Sequence, residues 1–95
     1  MNPANDPTRY DVSSFVGHVT NLGYQGQIFL GVVPHPQSGE SVEPNLPAVE
    51  VLIGTLEMLQ QKTEGNRTRE ESDYLMRILT DLRLRYVEAK DAAKQ

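Results

Sequence analysis

A short break between two apolar stripes constrains this chain more than any other feature. Val49, Leu52, Ile53, Leu56 and Leu59 recur at steps of three and four residues, as do Leu75, Ile78, Leu79, Leu82 and Tyr86. That spacing lines one face of an α-helix. Between the stripes, Gly65 suits the left-handed position that ends a helix. Thr68 and Glu71 then have the form of a capping box, in which the hydroxyl accepts from the third helical amide and the glutamate reaches back to the cap. Glu70, Glu71 and Asp73 put negative charge at the positive end of the helix dipole. A connection of about four residues leaves the two helices no arrangement but antiparallel. The spacing therefore predicts a helical hairpin with helices over 46–64 and 69–90. Asn45 is placed to cap the first of them, and Pro47 falls in its first turn, where a missing N–H costs nothing. Val51, Thr55 and Met58 lie off the stripe with Gly54 between them. They either widen the core or meet another chain.

A further helix is expected over 11–31. Asp11 can accept from the free amides of the first turn, and Tyr10 and Phe15 occupy the two positions of a hydrophobic staple. Phe15, Val19, Leu22 and Phe29 follow helical spacing with Gly26 on the same face. Gly31 and then Pro34 should stop the helix. Gly17, Gly23 and Gly26 inside this run each cost up to about 1 kcal/mol against alanine. Either they let another backbone approach closely, or the helix is frayed or kinked. A strand across 27–33 is the alternative for its second half, which is apolar without clear helical spacing. Pro34, Pro36, Gly39 and Pro44 make the following segment a loop. The whole reads as one all-α domain over 11–90, an N-terminal helix packed with the hairpin, between flexible tails at 1–10 and 91–95.

With 95 residues, the core can only be small, and small cores need a staple or a second chain. There is no cysteine, so neither a disulfide nor a thiolate metal site can serve. Oligomerisation remains, a homodimer first. The net charge of −4 disfavours a phosphate-binding surface, so nucleic acid is not an expected partner. Residues 1–10 lack the basic start and apolar core of a signal peptide. The stretch 15–33 is interrupted by His18, Asn21, Gln25 and Gln27, so no membrane span is expected, and a cytoplasmic location is the expectation.

No catalytic constellation is evident. Asp11, Ser13, Ser14 and His18 are close in sequence, but capping and surface polarity account for them. His18 and His35 each lack a second ligand at helical metal-site spacing, so neither a metal nor another cofactor is expected. On the third helix Arg77, Arg83 and Arg85 are mixed with Glu70, Asp73, Asp81 and Glu88. Asp73 with Arg77 and Asp81 with Arg85 are i,i+4 pairs of the better orientation, as on a solvated, salt-bridged face.

Leu30-Gly31, Pro36 with Gly39, Asn45-Leu46 with Ala48, Leu56-Glu57-Met58-Leu59, Lys62-Thr63, Gly65-Asn66, Thr68, Leu82-Arg83 and Tyr86-Val87 form one extended pattern. On these residues the segment 15–87 resembles a small bacterial family catalogued as domain of unknown function 1844. Arg67 stands where members usually carry an apolar residue, and Pro47 replaces a helix-friendly one. Gly23 and Gly26 fall where small residues are usual. The resemblance implies a compact, cytosolic helical protein without an assigned activity or functional residue. The expectation taken forward is a non-enzymatic helical interaction or assembly protein. It self-associates through a surface on the first helix made of Ser13, Gly17, Thr20, Gly23 and Gly26. The alternative is an accessory factor of a larger machine such as the ribosome, contacting it through the turn at 62–69 and the arginines of the third helix.

Overall fold

A computed structural model describes residues 13–34, 37–39 and 43–94. Three helices account for most of them, α1 (Phe15–Leu30), α2 (Leu46–Lys62) and α3 (Arg69–Ala93). Among the described residues there is no strand.

Each helix starts where a side chain can satisfy its orphan amides. Ser14, and not Asp11, caps α1, its hydroxyl accepting from Gly17 N at 3.0 Å. Serines compete with the helical backbone by bonding locally, which favours a start after Ser13 and Ser14 over one before them. Asp11 and Tyr10 lie outside the described residues. Asn45 Oδ1 accepts from Ala48 N, and Thr68 with Glu71 forms the complete reciprocal capping box. At the far end of α1, Gly31 takes φ 80°. There Val32 N bonds Gln27 O and Gly31 N bonds Ile28 O, the paired bonds that close a helix on a left-handed residue. The segment 27–30 is therefore helical and not a strand. Asn45 N then donates to Phe29 O at 2.7 Å, tying the start of α2 to the end of α1. Helix α3 runs past the expected end at 90 to Ala93.

The α2–α3 connection is held by Arg67. Its guanidinium donates to Gln60 O and Thr63 Oγ1, and through Nε to Ser72 Oγ. One side chain thus satisfies carbonyl and hydroxyl oxygens at the end of α2 while gripping the first turn of α3. Hydrogen bonds here stand in for the apolar contact that the family pattern implies, and the planar fork suits arginine alone. Arg67→Ala should lower stability by about 1–2 kcal/mol. In thermal unfolding followed by circular dichroism this reads as a Tm loss of several degrees, with Arg67→Lys recovering little of it.

Contacts fix the helix directions. Glu50 meets Tyr86, Glu57 meets Arg83 and Gln60 meets Met76, so α2 and α3 are antiparallel as expected. Thr20 meets Tyr74, Gly23 meets Ile78 and Gly26 meets Leu82, so α1 runs parallel to α3. The core between them is Val19, Leu22 and Leu30 from α1, Val49, Leu52 and Leu56 from α2, and Leu75, Leu79 and Leu82 from α3. No polar or charged residue among those described is buried within it.

Candidate functional site

The stripe of small residues on α1 packs inward. Gly17, Gly23 and Gly26 are buried by the chain itself. A Cβ on Gly23 would lie 3.0 Å from Ile78 Cγ2, and one on Gly26 only 2.8 Å from Leu82 Cδ2. Thr20 Oγ1 bonds Val16 O and shares a 2.6 Å hydrogen bond with Tyr74 Oη. Further along, Gln27 Nε2 donates to Asp81 Oδ2. Gly23 and Gly26 do permit a close approach, but the approaching helix is α3 of the same chain. The surface expected for self-association, Ser13, Gly17, Thr20, Gly23 and Gly26, is thus committed to the monomer at four of its five positions. Only Ser13 is exposed.

Other expectations resolve differently. Ser13, Ser14 and His18 do come together with Phe15 around an open hollow, with the Ser14 hydroxyl engaged as the α1 cap. His35 lies outside the described residues. Among those described, no group of three or more His, Asp or Glu is placed to hold a metal ion. No described helix is long and apolar enough to cross a membrane. The i,i+4 pair of Asp81 and Arg85 forms, with Nε 3.1 Å from both carboxylate oxygens. Asp73 is approached instead by Arg69, at 4.0 Å and almost fully solvated, a contact of little energetic weight. Arg67, counted among the basic residues of the turn, is spent on the turn itself.

The feature left without a structural role lies on the face of the hairpin turned away from α1. There α2 and α3 enclose an open groove of about 430 Å³ whose apolar lining comes from Ile53 and Val87 and whose polar lining comes from Glu50, Glu57, Arg83 and Tyr86. The polar groups are paired with one another. Tyr86 Oη donates to Glu50 Oε2 at 2.7 Å, and Arg83 Nη2 donates to Glu57 Oε2 at 2.6 Å. The bond to Glu50 favours the neutral phenol and raises the Tyr86 pKa above the ordinary 10.0. Lys90 Nζ sits 5.9 Å above the Tyr86 ring, within cation–π range. Gly54 also lines the groove, and a Cβ there would meet no atom within 4 Å. Val87, at the groove itself, is 52 % exposed, and elsewhere on the hairpin Val51 is 69 % exposed, Leu84 60 % and Met58 45 %. With Arg83 paired to Glu57 and Glu50 accepting from Tyr86, this face offers apolar area for burial more than a reactive group. Of the off-stripe residues Val51, Thr55 and Met58 with Gly54 between them, only Gly54 lines the groove; the contribution of α3 was not read.

Helix order, parallel α1–α3 packing and a hairpin with an uncovered apolar outer face define a small all-α three-helix protein. Residues 12–88 match the family described as Domain of unknown function (DUF1844), and the chain belongs to that family. No curated protein and no solved structure matches it.

Proposed function

We propose that the protein is a non-enzymatic helical interaction and assembly protein that self-associates through the outer face of the α2–α3 hairpin. The reading is supported by one observation above the rest. Four large apolar side chains of the hairpin, Val51 and Met58 of α2 with Leu84 and Val87 of α3, are held in solvent, while the core closes without them. Scattered apolar residues on a surface need no explanation, but grouped ones mark contact surfaces. The small core gives self-association a thermodynamic motive, because a second chain adds the apolar burial that a short sequence lacks.

Sedimentation velocity across a concentration series tests this. The parent chain should associate reversibly. A Leu84→Glu/Val87→Glu variant should remain monomeric with unchanged helicity, because both positions are more than half exposed. A parent chain that stays monomeric throughout the series would overturn self-association.

A further inference from the structure

We infer that Met58 is an oxidation site, converted to the sulfoxide by peroxides ahead of Met76, and that the oxygen it gains weakens contacts made through the outer face of α2. The site stands on the surroundings of the two sulfurs, while its effect on assembly rests on the self-association reading. Met58 and Met76 are 45 % and 44 % exposed, so access from solvent does not separate them. Their sulfurs do differ. Met76 Sδ accepts from Gln60 Nε2 at 3.0 Å across the seam between α2 and α3. Among the described residues, no hydrogen bond reaches Met58 Sδ. A thioether has lone pairs and no proton, so the amide N–H of Gln60, and not its oxygen, belongs against Met76.

Oxidation begins when a sulfur lone pair attacks one oxygen of hydrogen peroxide or an alkyl hydroperoxide. The S–O bond forms as the O–O bond breaks, and sulfur gives up two electrons. The proton of the transferred oxygen passes to the leaving hydroxide or alkoxide, which departs as water or alcohol. A donor on the sulfur holds that electron density back and covers part of the approach. Met76 should therefore react about two- to fivefold more slowly than Met58, the fold-change of one weak hydrogen bond. Met58 belongs neither to the core nor to the residues packed against it, so the fold should tolerate its sulfoxide. On the outer face the same change turns a flexible apolar side chain into a polar one. An oxygen that must shed its water opposes burial against another chain. Methionine sulfoxide reductases remove the oxygen as water, with a dithiol as electron donor, so the change is reversible and the face becomes a redox-sensitive contact.

Limited treatment of the chain with hydrogen peroxide, followed by proteolysis and mass spectrometry, gives the oxidation rate of each methionine. The chain has no cysteine, so no thiol competes for the oxidant. Met58 should react first, with helicity by circular dichroism unchanged. Equal rates, or a faster Met76, would overturn the site. Gln60→Glu keeps the side-chain shape and removes the N–H donor, so Met76 should then react about as fast as Met58. An unchanged ratio in Gln60→Glu would also overturn the inference. Sedimentation velocity gives the second readout. Oxidation at Met58 should weaken association by about tenfold or more, and a methionine sulfoxide reductase with dithiothreitol should restore it. Met76→Leu should respond to peroxide as the parent chain does. Met58→Leu should not respond, whatever its own affinity, and a response that survives this substitution would overturn the switch. A parent chain that is monomeric throughout overturns self-association and the switch with it, while the two oxidation rates still decide the site.

Discussion

Gly26→Leu is expected to abolish folding or come close to it. A Cβ at this position would lie 2.8 Å from one methyl carbon of Leu82 and 3.2 Å from the other. A contact that short is tolerable only if the neighbour can swing aside. Leu82 is 1 % exposed within the core, so both of its methyl groups are held by other side chains. The three further carbons of leucine then have nowhere to go without prising α1 from α3. Overpacking commonly costs about 1–3 kcal/mol. Here the inserted volume falls at a helix crossing, so a loss of about 3 kcal/mol or more is expected. A domain of about 80 ordered residues has roughly 4–12 kcal/mol to lose, and a core this lean should lie toward the lower figure. Urea unfolding followed by circular dichroism would measure it. Two further variants tie the effect to the named contact. Gly23→Ala should be much milder, because the neighbour there is the partly buried Ile78 at 3.0 Å and alanine gains helix propensity. Gly26→Ala combined with Leu82→Ala should cost less than the sum of its parts, with a coupling of about 0.5–3 kcal/mol. Strict additivity would mean that the two residues do not in fact press on each other.

The same glycines show where reading the sequence succeeds and where it stops. A cap is a local device, complete within four residues, so Asn45 and the Thr68–Glu71 box could be read directly. The apolar stripes of α2 and α3 were legible for the same reason, since periodicity reports which face is buried. A glycine reports only that something comes close. Ile78 and Leu82 are more than fifty residues beyond Gly23 and Gly26, and no spacing rule links them. The parallel course of α1 along α3 supplies that link, and it turns an expected surface into core. Gly54 shows the converse. By composition it resembles the other two, and only the packing reveals that, among the described residues, nothing lies within 4 Å of a Cβ placed there. Arg67 was harder still. A charged residue in place of an apolar one reads as a loss of packing, whereas the fork reaching Gln60, Thr63 and Ser72 makes it the clasp of the turn. At the start of α1, Asp11 and Ser14 are both competent caps, so chemistry alone could not choose between them.

Leu56→Ala should be nearly as damaging, for the opposite physical reason. Leu56 is fully buried near the middle of α2, between the stripe residues Leu52 and Leu59 and facing the core shared by all three helices. Truncation removes its transfer free energy and leaves a cavity that only partly collapses, which for a buried leucine costs about 2–5 kcal/mol. Collapse is hindered here because α2 is pinned at both ends. The Asn45–Phe29 backbone bond holds one end and the Arg67 clasp holds the other. The cost should therefore fall in the upper half of that range. With a urea m-value of about 1 kcal/mol/M for a domain of this size, the midpoint should fall by roughly 3.5 M or more. Val51→Ala on the same helix is the informative comparison. Val51 is 69 % exposed, so in dilute solution its truncation should leave the midpoint within a few tenths of a molar. At concentrations where copies associate, Val51→Ala should lower the midpoint below that of the parent, because its contribution then comes from burial against the second chain. Leu56→Ala should instead be damaging at every protein concentration. A concentration-independent Val51→Ala would detach the outer face of α2 from assembly, while a mild Leu56→Ala would mean that the three helices do not share one core.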